Sequence, residues 1–401
     1  MDELMSQLKS LASGADRTAR RQLMLALRSL ANSLEEPIDT THRFGLSNLQ
    51  SAIVKVGFDI SLFKLLVSSE VAVTASIIAE KTGADSVLLA RILRYLASIG
   101  VVDEVGDLEF AANHVTRNLA EKISEYGISH CFETISPQYQ AIPEFLKKTR
   151  YQNPTDPLRT PLQDAFHTRL HAYDWLAQQP ARQQTFNDYM SLRRKPEASW
   201  LSVYPVREQL TGEIWAGEHN VTRAVYVNIS RGIGHQCAEF KSKYPDLPGR
   251  VVLQDLAHNL AKALPTPGVE NMAHDFFDEQ PVKGAKFYFV RRALHNQTDK
   301  DAKRLLTRIK DAMAADSVLL IDELVLGERG LDYYSAAVDL TMMSATASME
   351  RTETQWREIL EAVGLRLIKC YSYNPGTFES VIDARLPSHK SPPFGLDMLW
   401  S

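Results

Sequence analysis

From about residue 220 onward, apolar strand-like runs alternate with helical stretches, which limits the chain to few architectures. The runs are "AVYVNI", "RVVLQD", "AKFYFVRR", "SVLLIDELVL" and "RLIKCYSY". Between them lie "GHQCAEFKSKY", "DKDAKRLLTRIKDAMA" and "TETQWREILEAVG", with apolar residues at helical spacing. Strands alternating with helices of this length join through right-handed crossovers into a mostly parallel sheet. The expected fold class is α/β, with a doubly wound, Rossmann-like domain over residues 206–390. Ligands of such a sheet bind beyond the carboxyl ends of its strands.

The preceding sequence is helical. "DELMSQLKSLASGADRTARRQLMLALRSLANSLEE" reads as a long amphipathic segment ending before Pro37. Further on, two short helices meet at Gly83-Ala84-Asp85, where Asp85 is an expected N-cap. Two short strands follow, "VVDEV" and "LEFAAN", which completes a helix-turn-helix with a β-wing over residues 1–115. Winged helices often bind DNA, but "SVLLARILRYLASIG" offers two arginines on an apolar body, which favours packing against protein. Residues 116–205 are expected to be helical and to line a pocket.

Composition removes several classes. The chain has 401 residues, is 44% hydrophobic and 23% charged, and carries a net charge of −4. It has no electrostatic footprint for nucleic acid or anionic lipid. No apolar run approaches the roughly 18 residues a membrane span needs. The N-terminal stretch is polar and lacks an apolar signal core. Cys131, Cys237 and Cys370 are too scattered for a disulfide framework or a zinc site. A cytoplasmic location is the default expectation, and no metal is expected.

The strand ends carry the chemistry. "VYVNISRGIGHQC" ends an apolar run in a turn at Gly232 and Gly234. Asp255 closes the next run, where a carboxylate commonly takes the hydroxyls of a ribose. Asp275 and Phe276 offer a polar and an aromatic group for an adenine. His295 follows the third strand, Glu323 closes the fourth, and Glu350 precedes a helix. Singly, Asp255 reads as a helix cap, Glu350 as a helix start and His295 as a satisfied buried imidazole. Their joint placement at strand ends favours a site.

These residues resemble the class I O-methyltransferases of plant and fungal secondary metabolism, the fungal branch most closely. The likeness runs over about residues 45–385 and includes "ARILRYLASIGVVDE", "ALPTPGVENMAHDFFDEQPVKGAKFYFVRRALHN" and "DLTMMSATASMERTETQW". The resemblance implies S-adenosylmethionine beside a pocket for an aromatic or polyketide-derived acceptor. It also implies a homodimer through the N-terminal domain. It places the general base on His295, with Glu323 and Glu350 holding the imidazole. A phenol of pKa about 10 needs such a base before it attacks.

The chain departs from the family on the cofactor side. Where the family has Asp-x-Gly-Gly-Gly-x-Gly, Asn228, Ser230 and Arg231 stand before Gly232. Loss of a charged acceptor, worth roughly 1.5–3 kcal/mol, weakens a cationic ligand about ten- to a hundredfold. Asn296 and Gln297 replace the usual Asp-Trp after the His. Binding of S-adenosylmethionine is thereby placed in doubt.

The favoured expectation is a fold relative that catalyses a non-methylating cyclisation, pericyclic reaction or dehydration of a polyketide-derived molecule. Ordinary O-methyl transfer is the alternative. A non-catalytic subunit is opposed by the retained His295, Glu323 and Glu350. For the pocket, the expected lining is His130, Phe132, Tyr139, Phe166, Phe186, Met190, Arg193, Met342 and Met343, a broad apolar cavity.

Overall fold

The computed structural model describes residues 2–193, 199–210, 222–229, 232–374 and 378–387, the side chains of Arg17 and Arg193 excepted. It divides into two compact units, Met1–Ser136 with Gln179–Arg194, and Pro137–Gln178 with Lys195–Ser401.

In the first unit, the long N-terminal helical segment is two helices, Asp2–Gly14 and Arg17–Ser33. The break is at Asp16, whose carboxylate accepts the Ala19 N–H and caps the second helix. The helix-turn-helix consists of Ala75–Thr82 and Ser86–Ser98, and Asp85 caps the latter by accepting the Leu88 N–H at 2.9 Å. Strands β1 (Val73–Thr74), β2 (Asp103–Gly106) and β3 (Glu109–Ala111) form the wing in the order β1-β3-β2. Leu89, Leu93 and Leu96 repeat at helical spacing and bury against Leu62, Phe63, Ile78 and Phe110. Each such side chain contributes about 1.5–3 kcal/mol by leaving water. Arg91 and Arg94 lie on the exposed side of that helix.

The second unit holds the sheet. Its strands are β4 (Ala224–Ile229), β5 (Arg250–Asp255), β6 (Val269–Ala273), β7 (Phe287–Arg291), β8 (Val318–Leu326), β9 (Arg351–Thr352), β10 (Arg366–Asn374) and β11 (Glu379–Arg385). The order is β10-β11-β8-β7-β4-β5-β6, with β9 paired to β8. All neighbouring pairs are parallel except those that β11 makes with β8 and β10.

Both faces are covered, which is why the central strands are apolar almost throughout. On one face Val227, Val290 and Ile321 pack against the helices Asp299–Lys310 and Glu353–Ala362. On the other, Tyr226, Phe289 and Leu320 pack against Trp200, Tyr204 and Phe240. Among the described residues, no helix is long and apolar enough to cross a membrane.

Candidate active site

The site is built where β7 stops. The β7–β8 register sets Arg291 beside Asp322, and the β8–β9 register sets Val325 beside Arg351. The second pairing brings Glu350, the residue before β9, towards Glu323 near the end of β8. Arg292 then adopts a left-handed backbone, φ +49°, and turns the chain into a short 3₁₀ segment, Leu294–Asn296. For a residue with a Cβ this costs roughly 1–2 kcal/mol, so the surrounding contacts must hold it.

Those contacts are specific. Glu323 is fully buried, and its Oε1 accepts the backbone N–H groups of Ala293 and Leu294 at 2.9 Å and of His295 at 3.3 Å. Glu323 therefore grips the turn that carries the histidine. Glu350 grips the ring: its Oε1 lies 2.7 Å from His295 Nδ1. One ligand atom each of His295, Glu323 and Glu350 falls within a common 4.8 Å. Arg351, also buried, donates to the carbonyls of Leu294 and Gln297 at 3.2 Å and to Asp299 at 2.7 Å. Asn296 accepts the Tyr173 hydroxyl at 2.9 Å and donates to the Arg292 carbonyl at 3.3 Å. Asn296, a departure in sequence, thus serves as a clamp on the turn.

The two carboxylates are shifted in opposite directions. Burial pushes the Glu323 carboxyl up, and Glu350 adds to this, against the pull of His295 and Arg292. Burial also pushes Glu350 up, but His295, Arg292 and Arg351 outweigh it and hold Glu350 below the usual carboxylate value. Two close carboxylates do not both ionise freely, and the opposite shifts make Glu350 the readier of the two to ionise. With an anionic acceptor at Nδ1, the neutral imidazole keeps its proton there and presents Nε2 as a base.

Arg292 was not found by sequence reasoning. Its Nη1 stands 3.9 Å from Glu350 Oε1. Arg292 Nη1, Glu323 Oε2 and Glu350 Oε2 are buried without hydrogen-bond partners. Native proteins rarely leave such groups unpaired, and polar atoms of a bound molecule would satisfy them. The available signal was the doubled arginine of "FVRR" facing "DE" across one parallel register. Arg291, the last residue of β7, pairs with Asp322 at 3.3 Å, while Arg292, turned out of the strand by its left-handed backbone, reaches Glu350.

The residues expected to hold a cofactor gather at the ends of β4, β5 and β6. Ser230 and Arg231 lie outside the described residues. Asn228 is 2% exposed, and burial pushes the neighbouring Cys237 thiol up to about 12 against the opposing pull of Asn228. Gly234 has φ +96° and opens the helix His235–Lys243, and a Cβ there would meet Leu253 at 3.0 Å. Among the described residues, none comes within 4 Å of a Cβ on Gly232. Asp255 Oδ2 accepts the Gly232 N–H at 2.8 Å. Asp275 accepts the Phe277 N–H at 2.9 Å, and Phe276 packs partly into the core. A buried carboxylate beside a glycine turn fits a nucleoside-bearing cofactor.

The expected pocket residues fall in both units. In the first, the His130 ring lies 5.2 Å from Phe186, and Phe132 and Met190 are half-buried. The Arg193 side chain lies outside the described residues. In the second unit, the Tyr139 hydroxyl hydrogen-bonds Thr341 on the helix Tyr333–Thr346, which also bears Met342 and Met343. Phe166 stacks on Trp175 with ring centroids 4.0 Å apart.

Comparison with known proteins places this geometry. Residues 221–366 match the model of the O-methyltransferase domain. O-methyltransferase ucdC of Aspergillus ustus is 37% identical over 367 residues, 92% of this chain and 94% of that protein. A solved structure described as "A Pericyclic Reaction enzyme" is 36% identical, with TM-score 0.85, covering 96% of this chain and 98% of the other. LepI, solved in complex with SAM, gives the same identity, coverage and score. The doubt raised by the altered loop is not supported by such a relative. With this identity along nearly its whole length, the chain belongs to the O-methyltransferase family.

Proposed function

We propose that the protein is a tailoring enzyme that binds S-adenosylmethionine and a hydrophobic, oxygen-bearing, polyketide-like substrate, and that it rearranges this substrate without methylating it. Arg292 is the observation that carries the reading. A guanidinium with an unpaired N–H beside the His295–Glu350 pair is a preorganised donor for negative charge growing on a carbonyl or enol oxygen. Arg292 stays cationic despite burial, chiefly because the Glu350 carboxylate stands beside it. A relative of high structural similarity described as a pericyclic reaction enzyme supports the same reading.

Each group then has a task. Arg292 polarises the substrate oxygen, and His295 Nε2 takes or returns a proton. Glu350 fixes the imidazole, and Glu323 and Arg351 fix the turn. Asp255, Asp275 and the Gly232–Gly234 turn would hold the nucleoside. When bound, S-adenosylmethionine would supply a cationic sulfur beside the substrate, its methyl group staying in place. Holding the substrate in a reactive conformer supplies part of the acceleration.

Methyl transfer is the second reading, favoured by the 2.7 Å His295–Glu350 contact, which suits a general base. Product mass separates the two. An isomer, or a product lighter by one water, supports rearrangement; a product heavier by one methylene refutes it.

The protein is also proposed to work as a homodimer. The helix Asp2–Gly14 buries none of its side chains, and Leu4, Met5, Leu11, Met24, Leu25, Leu27 and Leu30 are exposed. A second copy would cover such a surface. Light scattering at micromolar concentration tests this: a monomer mass contradicts it.

A further inference from the structure

Asp255 is occupied by its own protein, and the occupancy is uneven. Oδ1 accepts two donors, the Leu256 N–H at 2.7 Å and the Asn259 side-chain amide at 2.7 Å. Oδ2 accepts one, the Gly232 N–H at 2.8 Å. A carboxylate has about four acceptor positions, two on each oxygen. Oδ1 is therefore full, and Oδ2 has one position left.

A ribose offers two adjacent hydroxyls. A carboxylate that takes both uses one acceptor position on each oxygen. Asp255 can do so only if one donor leaves Oδ1. The Leu256 N–H is backbone adjacent to the carboxylate and has no freedom to withdraw. The Asn259 amide can withdraw: it is a half-buried side chain on a single turn, Ala257–Leu260, and rotation returns it to water. Asp255 itself is 6% exposed, so its other partners are fixed by the fold. The next segment is tied to the glycine turn, since the Leu264 N–H donates to the Ile233 carbonyl at 2.7 Å. Backbone around the carboxylate is thus pinned on both sides, and Asn259 is the movable part.

We propose that Asn259 is a gate on the nucleoside site: it competes with one ribose hydroxyl for Asp255 and thereby sets how tightly a nucleoside-bearing cofactor is held. This rests on the reading of Asp255 as the ribose acceptor. Asn259 is a tuning residue that acts through Asp255 and needs no contact with the reacting atoms. Binding exchanges the amide bond for a hydroxyl bond, so the cofactor loses much of what a preformed acceptor would give it. Asn259→Ala removes the competitor. A charge-assisted hydrogen bond then forms without displacing another, and affinity rises about tenfold.

The test is calorimetric titration of the full-length protein, its Asn259→Ala and Asn259→Ser variants, Asp255→Asn, and the Asn259→Ala/Asp255→Asn double variant. The probes are S-adenosylhomocysteine, adenosine and deoxyadenosine. Circular dichroism establishes that each variant is folded. The inference expects tighter binding of S-adenosylhomocysteine and adenosine by both Asn259 variants. That gain should be smaller for deoxyadenosine, which lacks one hydroxyl, and absent in the double variant. A merely structural role for Asn259 would not make the gain depend on the diol. If Asp255→Asn weakens binding while the Asn259 variants bind as the parent does, the gate is wrong and the acceptor reading stands. If Asp255→Asn leaves binding unchanged, or no protein binds any probe, the acceptor reading fails and the gate with it.

Discussion

His295 Nδ1 lies 2.7 Å from Oε1 of Glu350, a carboxylate whose side chain is fully shielded from solvent. The contact orders the remaining chemistry, because it fixes which ring nitrogen faces away from the carboxylates. Glu350→Gln keeps the shape and removes the charge. Product formation is expected to fall about a hundredfold or more, read as kcat.

The two glutamates are expected to respond oppositely to pH. The folded state holds Glu350 below its usual value, so Glu350 contributes stability above the unfolded value of about 4.3, lost as pH falls through the folded value. Glu323 is held above its usual value, so its contribution is complete below the unfolded value and lost as pH rises through the folded one. At neutral pH, Glu350→Gln should therefore lower Tm, and the gap to the parent should narrow on acidification. Glu323→Gln, which keeps an oxygen for the three N–H groups, should be at least as stable as the parent there. Thermal melts between pH 4 and 8 read both. Equal behaviour of the two variants would contradict the division of charge.

Arg292 acts through its planar, multiply donating head. Arg292→Lys retains a cation but not that geometry, and should recover only part of the activity lost in Arg292→Ala. The expected loss in Arg292→Ala is about a hundredfold in kcat, with KM little changed. A loss confined to KM would reduce Arg292 to a binding group.

Arg351 is 1% exposed and ties Leu294, Gln297 and Asp299 to β9 while stacking on Trp356. Arg351→Met should cost about 2–4 kcal/mol in urea denaturation, since it leaves buried carbonyls unpaired. An unchanged midpoint would mean that Glu323, Glu350 and Asn296 hold the turn without it.

Gly234→Ala tests the glycine turn. At φ +96° an L-residue is strained by roughly 1–2 kcal/mol, and the added methyl meets Leu253 at 3.0 Å. Binding of S-adenosylhomocysteine should weaken about tenfold. Parent-like affinity would mean that the turn does not shape the nucleoside site.

Much of this architecture was legible in sequence because of how the sheet is buried. β4, β5, β7 and β8 are covered on both faces and so read as apolar runs. β6 was missed: its "VENMA" sits at the sheet edge with Glu270 and Asn271 exposed. β11 was missed for the opposite reason, since its charges are buried and paired, Asp383 with Arg385 at 2.6 Å and with Tyr204 at 3.0 Å.

The site was legible in part. His295, Glu323 and Glu350 stand at strand ends, where a doubly wound fold puts its chemistry, and the fold brings them together. Arg292 was not legible, because an arginine after an apolar strand reads as a solvated end. Its placement comes from a backbone turn and a strand register that no single residue displays. The gate at Asn259 depends likewise on one side chain folding back over a four-residue turn.

The most direct test of the central claim is the ratio of product to S-adenosylhomocysteine when substrate greatly exceeds S-adenosylmethionine. Rearrangement predicts many products per cofactor, with S-adenosylhomocysteine not rising and the rate collapsing in Arg292→Ala. Product capped at one per cofactor, with S-adenosylhomocysteine formed in equal amount, would contradict it and establish methyl transfer.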